Sequence, residues 1–243
     1  MIRYLKLLYY LFYRPKIFYP KKNYSIFGED KFTSNYFRNK SKGFYVDVGC
    51  YHPLDGNNTH TLYKKGWNGI NLDINSYSIE LFNFLRKKDI NIHSGVSNKK
   101  DKLTMHYRKE INMLNTLDES MAKIQFKNGY KKKKIKVNTL NFFISKHFKK
   151  LKKIDFLNID VEGAELDVLK SLDFKYYEPQ LICIEIHSTT AKDKSNKSIQ
   201  TIDDTIDVRS NDIYKYLIKK KYKVIWKKEY SFIFENRNND KKN

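Results

Sequence analysis

GFYVDVGCYHP at residues 43–53 and GWNGINLDIN at residues 66–75 are the two stretches that decide the fold of this 243-residue chain. Each contains a short apolar run, at 44–48 and at 70–72, that ends on polar residues such as Asp73. Such runs are typical of neighbouring parallel strands in a sheet that holds a ligand across the carboxyl ends of its strands. The two stretches therefore predict a nucleotide-binding α/β sheet.

The polar residues at these strand ends indicate the kind of ligand. Asp47 lies inside the first strand, Gly49 would let the backbone come close to a ligand, and Asp73 follows about 20 residues later. An acidic side chain in that position takes a ribose diol, and Asn75 stands beside it. Gly49 is not followed by the two further glycines of the dinucleotide fingerprint. A ligand without phosphate needs no such cradle, so the pattern fits S-adenosylmethionine better than NAD.

Several further segments extend this pattern along the chain. They lie at residues 58–59, 62–67, 136–140, 154–165, 168–179 and 182–185. In this order they resemble the FkbM-type methyltransferases, and the resemblance covers roughly Ser25 to Glu185. It implies a Rossmann-like, doubly wound sheet of the class I methyltransferase type, S-adenosylmethionine as the cofactor, and acceptors with sugar or polyketide hydroxyls.

Hydrophobic periodicity predicts the same architecture. Strands are expected at 44–48, 69–73, 90–93, 154–159 and 181–186, and helices at 59–65, 78–87, 161–172 and 211–220. Strands that alternate with helices favour a mostly parallel sheet covered on both faces. The runs at 223–226 and 231–234 predict a C-terminal antiparallel hairpin, and 102–107 predicts an edge or hairpin strand.

The domain organisation follows from these elements. Residues 1–42 form a basic, aromatic, helical leader, with a helix start near Ser25, residues 43–235 the methyltransferase domain, and residues 236–243 a charged tail. We expect 112–136 to be a mobile excursion over the active face, with lysines 131–134 either a solvated charge run or a clamp for a sugar phosphate. Residues 188–210 are long for a connection and predict a lid or a disordered loop.

Composition limits the partners and the compartment. The formal net charge is +21, yet only seven of 48 basic residues are arginine, which argues against specific nucleic-acid binding. The excess of lysine suits a phosphate-bearing small molecule, with a biased genomic composition as the alternative explanation. Cys50 and Cys183 fall at predicted strand ends and favour buried free thiols in a reducing cytoplasm over a disulfide, with a reactive Cys50 as the alternative. Oligomerisation into homo-oligomers stays open.

The leader carries an apolar run at 7–13 that is too short to span a bilayer. Its lysine and aromatic side chains leave two interpretations open, peripheral contact with the inner face of the membrane and a helix docked on the domain. In either case we expect a cytoplasmic protein.

The candidate catalytic residues come from two later strand ends. Asp160 follows the fourth predicted strand, while Glu185 and His187 end the fifth and share one side of it by their period-two spacing. Because adjacent strands lie about 4.8 Å apart, these three side chains could converge. They would then bind manganese or magnesium, or His187 would act alone as a general base. Carboxylates at this edge could instead bind the methionine amine.

The resulting hypothesis is an O-methyltransferase that acts on a sugar hydroxyl of a nucleotide-activated sugar or surface-glycan (capsule or lipopolysaccharide) precursor. A nucleic-acid methyltransferase and a non-catalytic cofactor-binding module in a glycan assembly complex are the alternatives. The residues expected to contact the cofactor are Asp47, Gly49, His52, Asn58, Thr59, Asp73, Asn75, Gly95, Val96, Asp160 and Glu162.

Overall fold

The computed structural model describes residues 2–13, 23–109, 111–148, 153–187 and 208–238. Its strands are β1 (Phe44–Val48), β2 (Asn68–Asp73), β3 (Ile90–His93), β4 (Gly95–Val96), β5 (Asp101–Tyr107), β6 (Lys131–Asn138), β7 (Phe156–Ile159), β8 (Leu181–Glu185), β9 (Tyr222–Lys228) and β10 (Ser231–Asn236). Its α-helices are α1 (Ile2–Leu8), α2 (Glu29–Tyr36), α3 (His60–Lys64), α4 (Ser76–Leu85), α5 (Glu119–Gln125), α6 (Leu140–His147), α7 (Glu165–Lys170) and α8 (Asp212–Lys219).

Seven of these strands form one sheet in the order β3-β2-β1-β7-β8-β10-β9. The pairs from β3 to β8 are parallel, whereas β10 runs antiparallel to both β8 and β9. The predicted fold class, a doubly wound sheet with a C-terminal antiparallel hairpin, is confirmed. The strand order reverses between β1 and β7, and ligands of open α/β sheets bind outside the strand ends at such a reversal.

The central strands are buried on both faces, which explains their nearly continuous apolar runs. Val46 and Leu157 are fully buried in the larger hydrophobic cluster on one face of the sheet. Tyr45, Trp67 and Phe156 are fully buried in a second cluster on the other face. Burial on both faces fixes the register of these strands, because a shift of one residue would exchange the two sets of side chains.

The prediction of a mobile excursion at 112–136 is wrong for the described part of that segment, which contains α5 and most of β6. Strand β6 pairs antiparallel with β5 and parallel with β4 in a second, three-stranded sheet. The lysines at 131–134 are exposed, while Ile135 and Val137 point into a small apolar cluster. The sequence did not indicate this strand, because four consecutive lysines do not form an apolar pattern. Charged residues are nevertheless tolerated where a strand is exposed to solvent.

Two helices begin later than the sequence predicts. Helix α7 begins at Glu165, since Glu162 and Gly163 adopt positive φ angles of 58° and 101° that a helix cannot contain. Helix α2 begins at Glu29, after Gly28 with φ of 101°. Most of the predicted lid, at 188–207, and the end of the tail, at 239–243, lie outside the described residues.

The leader begins with α1, which continues as a π-helical turn at Tyr9–Tyr13 and packs on α4. Arg3 forms an ion pair with Glu80 of α4. Among the described helices, none has both the length and the apolar character needed to cross a membrane.

Candidate active site

A recess lies outside the ends of β1, β2 and β3 and encloses about 490 Å³ of empty space, including solvent at its mouth. Its lining includes five residues that the sequence predicted as cofactor contacts: Gly49, Asp73, Gly95, Val96 and Asp160. Recesses at the reversal point of such a sheet bind small molecules when a few polar groups line them together with apolar ones. We call this recess the cofactor cavity.

Asp73 is the charged group at the end of β2 in the cofactor cavity. Its carboxylate accepts hydrogen bonds from the backbone N–H groups of Tyr51, at 2.8 Å, and Asn75, at 2.7 Å. Burial raises the pKa of Asp73 to about 6. Asn75 does not line the cavity, because its side chain accepts from the Tyr77 N–H and caps α4. Two backbone donors thus orient an acceptor that is available to a ribose diol.

Gly49 is required by a close approach between two backbone segments. Its φ is +81°, and a Cβ atom at this position would lie 1.7 Å from the carbonyl oxygen of Asp160. The Asp160 N–H in turn donates to the carbonyl of Val48 at 2.9 Å. The sequence assigned this glycine to contact with the ligand, whereas in the structure it lets the ends of β1 and β7 meet.

Asp47 and Thr59 lie away from the cofactor cavity, in a buried polar network. The Asp47 carboxylate accepts from Thr59 Oγ1 at 2.8 Å and from Asn158 Nδ2 at 2.9 Å. Arg86, 1% exposed, donates to Asn57 Oδ1 at 2.7 Å and lies 3.8 Å from the Asp89 carboxylate. We call this set the arginine network. Its internal hydrogen bonds account for Asp47 and Thr59 without a ligand.

His52 and Asn58, also predicted as cofactor contacts, have protein partners. His52 Nε2 donates to the Tyr10 carbonyl at 2.9 Å, and its Nδ1 accepts from the Leu54 N–H at 3.1 Å. Asn58 Nδ2 donates to Asn158 Oδ1 at 2.9 Å. Asn58 lines a second, smaller recess that also contains Asp160 and Glu185. His52 therefore joins the leader to the loop after β1, and Asn58 borders the second recess.

The ends of β7 and β8 bring together a cluster of Glu162, Glu185 and His187. One ligand atom from each lies within 4.8 Å of the others, and His187 Nε2 is 3.2 Å from the Glu185 carboxylate. The predicted set differed by one residue, since it placed Asp160 where the structure places Glu162. Glu162 takes the place predicted for Asp160 because of its left-handed backbone conformation, with φ of 58°. Its side chain lies beside Glu185 and His187. We call Asp160 and these three residues the strand-end cluster.

Negative charge accumulates in the strand-end cluster. Burial, and then the Glu185 charge, raise the pKa of Asp160 well above its usual range. The same two causes raise the pKa of Glu162 to about 7. The hydrogen bond to Glu185 raises the pKa of His187 against the effect of burial. Binding of a positively charged group would relieve this repulsion.

Asn115 is a residue of the cofactor cavity that the sequence prediction missed. It lines the cavity and is 7% exposed, and neither Oδ1 nor Nδ2 has a hydrogen-bond partner within the described part of the chain. The next residue, Thr116, donates from Oγ1 to the Glu162 carbonyl at 2.5 Å and so fixes the segment. A buried carboxamide without partners costs free energy that a bound ligand could recover. Nothing in the polar stretch around Asn115 marks it in the sequence.

Both cysteines lie beside the site as free, buried thiols. Cys50 and Cys183 are each 2% exposed. Burial raises the pKa of both thiols well above the usual value, so neither forms the reactive thiolate at neutral pH.

The sheet order and the cavity at its reversal define a class I methyltransferase fold. The sequence model of the family described as "Methyltransferase FkbM domain" matches residues 47–224, and the chain belongs to this family. The family implies S-adenosylmethionine as the methyl donor, as the sequence predicted.

Comparison with solved structures finds the crystal structure of a methyltransferase FkbM from Methylobacillus flagellatus KT, with 14% identity and a TM-score of 0.48. The match covers 84% of this chain and 47% of that chain, so the present chain spans about half its length. None of the curated proteins searched matches the chain.

Proposed function

We propose that the chain is an S-adenosylmethionine-dependent O-methyltransferase that acts on a sugar hydroxyl of a nucleotide-activated sugar or surface-glycan precursor. The observation that carries the proposal is the His187–Glu185 pair at the strand ends: Glu185 lines the second recess, and Asp160 lines both that recess and the cofactor cavity. Methylation of a hydroxyl requires a base near the cofactor, and an imidazole held by a carboxylate supplies one. The net charge of +21 supports an acceptor that carries phosphate.

In this proposal the cofactor supplies an electrophilic methyl group, and the chain positions the reactants and removes a proton. Asp73 would accept the ribose hydroxyls, with the adenine beside Gly95 and Val96. When bound, the cofactor would give its methyl group to the acceptor oxygen with cleavage of the sulfur–methyl bond and would leave as S-adenosylhomocysteine, and a nitrogen of His187 would take the proton of the acceptor hydroxyl. Glu185 stabilises the imidazolium that forms, by the hydrogen bond that already raises the pKa of His187.

The strand-end cluster also fits a divalent cation. Two carboxylates and one imidazole are a donor set that suits manganese or magnesium, and Glu162, Glu185 and His187 would hold the ion. When bound, such an ion would acidify the acceptor hydroxyl. Burial and then the Glu185 charge raise the pKa of Glu162 to about 7, and this supports the site because a bound cation would offset the repulsion between the carboxylates.

The proposal is tested by thermal-shift measurements with S-adenosylhomocysteine and a panel of sugar nucleotides, followed by methyl-transfer assays on those that stabilise the protein. We expect stabilisation by S-adenosylhomocysteine and by at least one sugar nucleotide, by mass action. Binding of NAD without S-adenosylhomocysteine would refute the cofactor assignment. If the protein binds the cofactor but methylates only nucleic acid, the assignment of a sugar hydroxyl as the acceptor would be refuted.

A chelator distinguishes the two proposed mechanisms of deprotonation, metal activation of the acceptor hydroxyl and general-base catalysis by His187. If Glu162, Glu185 and His187 hold a required ion, removing divalent metals abolishes turnover and manganese or magnesium restores it. If His187 is the base without metal, the chelator leaves the rate unchanged and His187→Ala still lowers it.

A further inference from the structure

The helix at the start of the chain presents two different faces. Arg3, Leu7, Tyr10 and Leu11 follow one another at helical spacing and meet the domain. Leu11 is 3% exposed and packs with Leu81 and Ile111. This face needs no further partner.

The inner face of this helix is attached firmly to the domain. The Arg3 guanidinium lies 4.4 Å from the centre of the Tyr77 ring, in addition to its ion pair with Glu80. The Tyr10 carbonyl accepts the hydrogen bond from His52 at 2.9 Å. The orientation of the helix, and hence of its outer face, is therefore set by the fold.

The outer face carries large apolar side chains in contact with water. Tyr4 is 71% exposed, Leu5 61%, Tyr9 49% and Leu8 41%. The spacing 4, 5, 8, 9 places them on one side of the helix. Single exposed apolar residues are ordinary on a protein surface, whereas a contiguous group marks an interaction site.

Basic residues lie beside part of this apolar group, at Leu5 and Tyr9. Leu5, Lys6 and Tyr9 form one wall of an open groove, and the end of β5 with the start of β6 forms the other. The second wall contributes Tyr107, Arg108, Lys109 and Lys131. The groove thus combines aliphatic and aromatic side chains with four basic residues.

We propose that this outer face and groove, which we call the α1 surface, dock on the surface of an anionic membrane. Leucine, tyrosine and lysine together suit the boundary between headgroups and acyl chains, where the apolar side chains insert and the cations meet anionic lipid. Nucleic acid would use the basic and aromatic residues, but it offers no partner for Leu5 and Leu8, which favours a membrane. The cofactor cavity would then be held close to lipid-linked acceptors.

The test is flotation of the full chain with phosphatidylcholine vesicles that contain or lack about 30% phosphatidylglycerol. We expect binding to the anionic vesicles alone. The double variant Arg108→Ala, Lys109→Ala should lower the partition coefficient on the order of 30-fold, since each basic residue near the surface contributes about a factor of five. Leu5→Ser, Leu8→Ser should lower it by roughly tenfold or more at any salt concentration.

Matched controls come from equally exposed positions elsewhere. Ile124 is 62% exposed, so Ile124→Ser controls for loss of an apolar side chain, and Lys170→Ala, Lys175→Ala controls for loss of charge. All variants should keep the circular dichroism spectrum and unfolding temperature of the parent. Equal binding of the parent and both α1-surface variants would overturn the proposal. So would binding to single-stranded DNA, without vesicle binding, that depends on Arg108 and Lys109.

Discussion

Two groups of buried carboxylates lie close together at the same sheet, and they differ in what neutralises them. In the arginine network, Asp47 and Asp89 are surrounded by amide, hydroxyl and guanidinium donors, and Arg86 lies among them. In the strand-end cluster, the charged neighbours that act most on Asp160 are all carboxylates. The first group contains its own cation, Arg86, whereas the second has an excess of negative charge that a proton or a bound cation must offset.

We take this difference as the basis for proposing that the first group is structural and the second functional. Burial of a charge is tolerated when donors inside the fold replace the lost water. A cluster that lacks such donors costs stability, and the cost is retained where it serves binding or catalysis. The distinction predicts which substitutions remove activity and which unfold the protein.

The largest effect should follow from changing the base. His187→Ala should lower kcat roughly 10²- to 10⁴-fold, because the acceptor proton loses its destination, while S-adenosylhomocysteine affinity stays constant. Initial rates with an identified sugar-nucleotide acceptor measure the effect. His147→Ala, at an exposed histidine of α6, is the matched control and should keep full activity. A fully active His187→Ala enzyme would remove the strand-end cluster from the mechanism.

The next effect should be on folding. Arg86→Met leaves Asp47 and Asp89 without their cation and should lower the free energy of unfolding by about 3–5 kcal/mol. Urea denaturation measures this loss, with Arg38→Met at an exposed arginine as the control. If Arg86→Met unfolds at the same urea concentration as the parent, the arginine network is not what stabilises the buried carboxylates.

Glu162→Gln should raise the free energy of unfolding, in contrast to Arg86→Met, and the size of the gain should depend on pH. The folded pKa of about 7 is above the ordinary 4.5, so ionised Glu162 destabilises the fold fully above pH 7 and not at all below about 4.5. Glutamine removes the charge and keeps an acceptor for Gln125, whose Nε2 donates to Glu162. We expect a gain on the order of 2 kcal/mol at pH 8 that shrinks towards pH 5.

Urea denaturation of the metal-free protein at both pH values checks this gain. Glu119→Gln, at an exposed glutamate of α5, is the control and should show no comparable gain at pH 8. A destabilised Glu162→Gln protein at pH 8 would contradict the excess of negative charge.

The smallest effect should be on ligand affinity and concerns the Asn115 carboxamide, which has no hydrogen-bond partner among the described residues. Asn115→Ala should weaken S-adenosylhomocysteine binding about tenfold, because the ligand loses a hydrogen-bonding side chain. We expect the same factor for methylthioadenosine, since a carboxamide matches the donor and acceptor pair on an adenine edge. Calorimetry compares the two ligands, with exposed Asn128→Ala as the control. An effect on S-adenosylhomocysteine alone would place Asn115 at the amino-acid end instead.

The sequence was sufficient where local pattern determines structure. The apolar runs of β1 and β2 and the polar residue at the end of β2 predicted the sheet and the position of Asp73 in the cavity at its edge. It was insufficient for Asp47, because the partners that make this residue structural, such as Asn158, come from distant parts of the chain. Period-two spacing alone does not show which strand-end carboxylates have partners.

The strand-end cluster shows a second limit. Period-two spacing correctly paired Glu185 with His187, although β8 ends at Glu185 and His187 lies just beyond it. The third member depended on the left-handed conformation at Glu162, where glutamate gives no local signal. Asn115 was missed for a similar reason, since a long-range hydrogen bond from its neighbour Thr116 determines its position.

The two buried thiols, Cys50 and Cys183, can be used to measure local opening of the protein. Cys50 follows the glycine turn beside the cofactor cavity, and Cys183 lies in β8 next to the strand-end cluster. A maleimide reagent can label each thiol only when the surrounding backbone opens, so the labelling rate measures the opening free energy at that point. Cofactor binding should slow labelling of Cys50 more than labelling of Cys183. The two labelling rates would then report opening of the two halves of the site separately, without an engineered probe.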